Sequence, residues 1–320
     1  MANTRAETMS STNASLSRRA LLEGAGTSLL FVPLGAIAGC TAALPSGHGA
    51  TGGSWATGGT RAIGASARFP DPFTSDLSQA CRLTCMTTIG PCHTVSPERG
   101  DLSDGWDGLP LRLALRVVDS ACKPVEGAIV ELWHTNYTGG YSGEIVAMCN
   151  NNRDDLAKGF FRGYQRSDAS GIVHFDSCYP GWYRGRAVHI HLRVMMGDYL
   201  ADDRAPSSVT TQLLFTDALN EEIFSSHPLY RPFGQPDTTL ASDNVVGGES
   251  DFAPYLFEVR RMPDGVVFAS KTLIVRQSDE EAVCQARGAG GPGGPPGGPE
   301  RRGPPPEGFG SPQGDRPRDR

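Results

Sequence analysis

The chain has 320 residues, 38% of them hydrophobic, and a formal net charge of −6. That length holds one large domain or two small ones. The acidic balance offers no basic footprint for nucleic acid, and the lack of a second long apolar stretch speaks against a polytopic helical membrane protein.

Ser17-Arg18-Arg19-Ala-Leu-Leu22 forms a twin-arginine pattern, and the apolar stretch from Leu29 to Ala38 runs into Ile37-Ala38-Gly39-Cys40, a lipobox-like end. Residues 1–40 are therefore expected to be a twin-arginine, lipoprotein-type export signal. A lipid on Cys40 would hold the mature chain at a membrane surface of the cell envelope without spanning it. Residues 41–75 are rich in Gly, Ala, Ser and Thr, which predicts a flexible tether with His48 inert. The folded domain is expected over 76–284.

Eight cysteines less Cys40 leave Cys81, Cys85, Cys92, Cys122, Cys149, Cys178 and Cys284. After export several should pair, and the odd number leaves at least one free or paired between chains. A zinc site on Cys81, Cys85 and Cys92 is the alternative, but its spacing lacks a second Cys-x-x-Cys half, so disulfides are preferred. His93, in the irregular segment from Cys81 to Arg99, is expected at the surface.

Leu111–Val118 alternates, with Leu111, Leu113, Leu115 and Val117 inward, and Ala128–His134 forms a second strand after a turn-rich connection. Trp133 is assigned to packing, and His134 points away from it. Gly139-Gly140-Tyr141 then forms a loop at the end of the sheet. Residues 142–159 read as a loop around Cys149. Ile172–Asp176 is a strand in a hairpin, with His174 structural.

The stretch Tyr179-Pro-Gly-Trp-Tyr-Arg-Gly-Arg-Ala-Val-His-Ile-His-Leu-Arg-Val194 carries the chemistry. In its strand-like second half His189, His191 and Arg193 share one face, and Val188, Ile190, Leu192 and Val194 the other. Two imidazoles two residues apart can grip one metal ion. Tyr183, on the loop entering the strand, would add a hard anionic oxygen. Zinc sites favour Cys, His and carboxylate, whereas phenolate with imidazole suits ferric iron. Zinc or copper on the His pair stays open as an alternative.

Further on, Ser207–Phe215 is a strand and 217–233 a short helix and loop. Tyr255–Val259 and Val266–Ser270 are strands around Pro263-Asp264-Gly265, with 271–276 continuing the second. Gly and Pro dominate 285–320, a disordered tail. Many short strands with Gly and Pro punctuation predict an all-β fold. It would be a β-sandwich of mixed, mostly antiparallel strands with long loops and few short helices.

Three segments, Phe160-Phe-Arg-Gly-Tyr-Gln-Arg-Ser-Asp-Ala-Ser-Gly171, Tyr179-Pro-Gly-Trp-Tyr-Arg-Gly-Arg186 and His189-Ile-His191, resemble the intradiol ring-cleavage dioxygenases, above all their secreted single-domain branch. The resemblance implies a β-sandwich holding Fe(III) on two tyrosines and two histidines. By match these are Tyr183, His189, His191 and, eight residues after Trp133, Tyr141. It implies O2-dependent cleavage of a catecholic small molecule between its hydroxyl-bearing carbons to a muconate-type diacid. Tyr183 would be the phenolate released when substrate binds, and Arg186 a cation at the substrate ring. Gln212, in a Thr-Gln-Leu-x-Phe segment, would lie beside the iron or touch substrate, against the alternative of a solvent-facing strand residue. The chain departs from the family pattern at Gly90-Pro91-Cys92-His93, where an aromatic residue and a Tyr are usual. A lipid-anchored, non-catalytic β-sandwich binding protein is the alternative, against which the complete set of two Tyr and two His argues.

Overall fold

Apolar alternation along β1 (Pro110–Asp119) supplies one wall of the core in the computed structural model. The structure describes residues 54–64, 69–74, 77, 82–143, 149–150, 152–200, 209–276, 278 and 280–288. Seven further strands follow: β2 (Ile129–Trp133), β3 (Arg162–Arg166), β4 (Ile172–Cys178), β5 (His189–Met195), β6 (Val209–Leu214), β7 (Glu258–Arg261) and β8 (Val267–Val275). They form two four-stranded sheets, ordered β4-β1-β8-β7 and β3-β2-β5-β6. Only β1 and β8 run parallel; the other pairs are antiparallel. The α-helices among the described residues are α1 (Arg153–Leu156) and α2 (Asp217–Ser226). The fold is an all-β sandwich.

The two sheets meet through their alternating apolar positions. Leu111, Leu113, Leu115 and Val117 share one buried cluster with Val130, Leu132, Val188, Ile190, Leu192 and Val194. Burial at about 25 cal/mol per Å² makes this interface the main source of stability. The opposite face of β5 is also covered, because every residue of His189–Met195 is buried. Segment 84–96 runs beside β6, where Thr87 N–H donates to Thr210 O at 2.9 Å and the Thr211 hydroxyl to Cys85 O at 2.8 Å, and reaches that face of β5 at Gly90, against His191.

Several expectations need correction. Residues 54–63 are not tether. The Trp55 indole is buried in the main cluster and donates to Ser226 Oγ at 3.1 Å, and the Arg261 guanidinium lies 3.9 Å over its ring. Ala56 N–H donates to Gly265 O and Gly59 N–H to Gly108 O, both at 3.1 Å. One buried Trp removes enough apolar area from water to outweigh a linker-like composition. The domain therefore includes residues well before 76. It also reaches past 284, since Ala286 is buried and its N–H donates to Met86 O at 2.9 Å. Residues 253–255 form a 3-10 turn, and the strand expected there runs over β7 instead. Residues 142–159 contain the one-turn α1, capped by the Asn152 side chain on Asp154 N–H.

Cys85 pairs with Cys284 and Cys92 with Cys149. Cys122 is disulfide-bonded as well, and Cys178 is free and buried. With Cys85 and Cys92 in separate disulfides, a zinc site built on them is ruled out. The signal at 1–40 with Cys40, and also Cys81 and 289–320, lie outside the described residues.

Candidate metal centre

Sheet register sets the site. Across β3, β2, β5 and β6, Arg162, Trp133, His191 and Gln212 form one cross-strand row. His189, two residues earlier on the same face of β5, stands beside it. Tyr141 and Tyr183 come from loops. The turn before Tyr183 requires glycine, because a Cβ on Gly181 would lie 2.4 Å from Asn136 O.

The four side chains predicted as ligands converge. Tyr183 Oη and His189 Nε2 are 3.2 Å apart, and His189 Nε2 and His191 Nε2 also 3.2 Å. Tyr141 Oη lies 3.4 Å from Tyr183 Oη and 3.5 Å from His189 Nε2. Donors about 2.0–2.1 Å from a common ion at near-tetrahedral angles stand roughly 3.3–3.4 Å from one another, so the spacing fits a first-row metal. Among the described residues no three His, Cys, Asp or Glu side chains gather as ligands; the two phenols complete this set.

Charge and hydrogen bonding agree with that fit. Burial, with the Arg186 charge next, pushes His189 down to about 3. Burial and then His189 hold His191 well below the usual imidazole range. Burial drives both phenols up, Tyr141 far above its ordinary value. His189 Nδ1 is 2.6 Å from Ala187 O, which holds its proton there and turns the Nε2 lone pair to the centre. His191 Nδ1 is buried and has no hydrogen-bond partner among the described residues. Its ring is held instead by stacking on Trp133 at 4.9 Å and 10°, and by Gly90, where a Cβ would come within 3.1 Å of its Cε1. Neutral imidazole nitrogens and phenol oxygens turned on one another in a buried place form a donor set that suits a metal ion.

Arg186 and Gln212 stand next to this set. The Arg186 charge opposes the burial-driven rise in the Tyr183 pKa. The Arg186 Nε donates to Asp243 Oδ2 at 3.0 Å, and a terminal nitrogen donates to Gln212 Oε1. Gln212 is fully buried and donates in turn to Thr88 O at 2.7 Å, so it does not face solvent. Sequence reasoning missed Asp243. Its carboxylate also accepts from the N–H groups of Ala187, Val245 and Val246 at 2.8–2.9 Å. Burial alone would raise its pKa, but Arg186 and these N–H groups outweigh that and hold it low. The only sequence signal was an Asp followed by a turn.

Two residues of the same sheet face belong elsewhere. Arg193 donates to Glu131 Oε2 from Nε at 3.0 Å and from a terminal nitrogen at 2.8 Å. His93 is not a surface residue: its Nε2 lies 3.1 Å from Glu131 Oε1 and its ring sits edge-on to Trp133. The fully buried Glu131 carboxylate is paired with the Arg193 guanidinium and contacted by His93, and Tyr199 Oη adds a donor at 2.9 Å. His134 lies 2.7 Å from Ser177 Oγ and stacks on Phe161, away from the centre.

Residues 98–226 match the family model Dioxygenase_C, described as dioxygenase. Among solved structures, an intradiol ring-cleavage dioxygenase from Tetranychus urticae is similar at 24% identity and a TM-score of 0.51, covering 64% of this chain and 99% of that one. The dioxygenase domain of a carbohydrate-binding fusion from Streptomyces sp. SirexAA-E is 25% identical, with a TM-score of 0.41 over 61% of this chain and 99% of that one. Hydroxyquinol 1,2-dioxygenase from Pseudomonas putida DLL-E4 is 21% identical, with a TM-score of 0.43 over 62% and 68%. No curated protein matches the chain. The match to the dioxygenase family model covers residues 98–226, and the chain shares the sandwich fold of an intradiol ring-cleavage dioxygenase.

Proposed function

We propose that the protein is a ferric intradiol dioxygenase that cleaves a catechol-type ring with O2 to a muconate-type diacid. The observation that carries this reading is the convergence of Tyr141 Oη, Tyr183 Oη, His189 Nε2 and His191 Nε2 within 3.2–3.5 Å links. Two phenols beside two imidazoles suit ferric iron better than zinc. When bound, the iron supplies Lewis acidity that draws electron density from a chelated catechol dianion and opens a ring carbon to O2.

The chain's own groups have separable roles. Tyr183 is only partly buried while Tyr141 is 1% exposed, so Tyr183 is the phenol a substrate reaches first. Held as a phenolate by the metal, Tyr183 would take a catechol proton, with the Arg186 charge beside it favouring the ionised form. Arg186, fixed by Asp243 and Gln212, holds a positive charge where charge builds on the ring. His189 and His191 stay neutral and hold their lone pairs on the metal position. Trp133, Ile89 and the Cys92–Cys149 bridge pack around Tyr141 and keep water from that side.

Metal analysis and a visible spectrum of the purified chain test the reading. One iron per chain, a tyrosinate-to-iron band that weakens in Tyr141→Phe and is lost when Tyr141→Phe and Tyr183→Phe are combined, and O2 uptake with catechols are expected. A chain that stays colourless after ferric reconstitution overturns it in favour of a non-catalytic binding module.

Export and lipid attachment at Cys40 belong to the same proposal. The paired cysteines support an oxidising compartment. Incorporation of labelled fatty acid that is lost in Cys40→Ser is the expected result; an unlabelled chain with residues 1–40 intact would refute it.

A further inference from the structure

We infer that the Cys92–Cys149 disulfide positions Tyr141, so that metal uptake at the candidate centre depends on this bond. The inference rests on the four-residue metal set proposed above.

The four side chains are not held alike. His189 and His191 sit on β5, paired on one side with β6 and on the other, at His191, with β2. Tyr183 lies in a turn closed by its own bridge to Arg186. Tyr141 has no place in a sheet. Its N–H donates to Cys149 O at 3.0 Å, and its carbonyl accepts from Asn150 Nδ2 at 2.8 Å. Both main-chain groups of Tyr141 therefore depend on residues 149–150, and Cys149 is bonded to Cys92.

Cys92 ends the segment that covers the other ligands. Gly90 stands against His191, and Thr88 accepts from Gln212. The disulfide thus ties the backbone partner of Tyr141 to the segment lying on His191. Both sulfur-bearing residues are buried and pack directly with Tyr141 and Trp133. Arg162 braces the same junction, with its Nε on Ser142 Oγ at 3.2 Å and a terminal nitrogen on Cys92 O at 3.4 Å. The other described bridge, Cys85–Cys284, belongs to a separate cluster with Ala187, Leu214 and Val246. It provides an internal control.

A phenol that must meet three other donors within a few tenths of an ångström loses affinity when its backbone is released. The test isolates each tyrosine by its charge-transfer band. In the full chain carrying Tyr183→Phe, a band reports Tyr141 alone; in Tyr141→Phe it reports Tyr183. Replacing Cys92 and Cys149 together by Ser is expected to abolish the first band and keep the second, with ferric affinity lowered at least about tenfold. Cys85→Ser with Cys284→Ser is expected to leave both bands.

Amide exchange of the metal-free chain gives an independent reading. The Tyr141 amide should exchange faster without the Cys92–Cys149 bond while the His191 amide is unchanged. Where the double-serine chain does not fold, the same exchange is measured on the parent after graded phosphine reduction, with the surviving bridges mapped by mass spectrometry. Equal loss of both bands, or equal acceleration at Tyr141 and His191, marks a general structural role and overturns the inference. A parent with its bands whose Cys92/Cys149 variant keeps them overturns the inference alone. A parent that binds no ferric ion overturns the metal reading and the inference with it.

Discussion

Asp243 shows how a charge far along the chain sets the behaviour of a residue beside the centre. Its carboxylate holds the Arg186 guanidinium at 3.0 Å and takes the Ala187 N–H at 2.8 Å. If the proposed function holds, Asp243→Asn should retain the metal and its colour yet lower kcat about 10–100-fold, because Arg186 is no longer fixed; steady-state O2 uptake beside iron content checks this. His134 lies apart from the centre and bears on stability. Burial pushes it down to about 4, below its ordinary value near 6.5. The unfolded chain therefore binds more protons between these values. Its contribution is intact above about 6.5 and is lost as pH falls toward 4, by ~3 kcal/mol. Denaturant midpoints against pH should show this slope, and His134→Gln should flatten it. The four converging side chains were legible because the His-x-His spacing and the family resemblance single them out. Asp243 was not, since it acts through space from a stretch with no periodicity.

At the scale of elements, period-two alternation made β1, β2, β5 and β6 legible, because each has a face on the core. β7 was displaced in the expectation because Glu258-Val-Arg-Arg261 is an edge strand with charged side chains and little apolar contrast. The segment from Cys81 to Arg99 is irregular in sequence, with His93 expected at the surface, and the packing of Gly90 and His93 over β2 and β5 could not be inferred from a run without alternation. The fit is tightest at Gly90, which has φ +72° and lies against the His191 ring. Gly90→Ala should strain the backbone by about 1 kcal/mol and press on His191, lowering metal affinity about tenfold or more. Ferric titration with a parallel thermal melt separates the two effects.

For the whole molecule, the N-terminal boundary matters most. Residues 54–63 look like linker by composition, yet Trp55 is 8% exposed and touches both α2 and β7 through Ser226 and Arg261. A chain beginning at residue 76 should be less stable than one beginning before residue 54, and Trp55→Ala alone should cost about 3–5 kcal/mol. Chemical denaturation of the two lengths decides the point. Composition averages over a window, so one large side chain disappears in it. Pairing of the cysteines was equally hidden, because connectivity follows from the fold and not from spacing.

The Cys85–Cys284 bridge spans 199 positions of sequence, and Met86 and Gln285 pair directly beside it. Tension applied to the chain before Cys85 and after Cys284 therefore passes through one sulfur–sulfur bond. The sandwich and its donor cluster sit in a closed loop that carries none of the load, and about 650–700 Å of contour length is kept out of reach of a pulling force. Residues 54–64 lie outside that loop. They would peel first, leaving the centre intact.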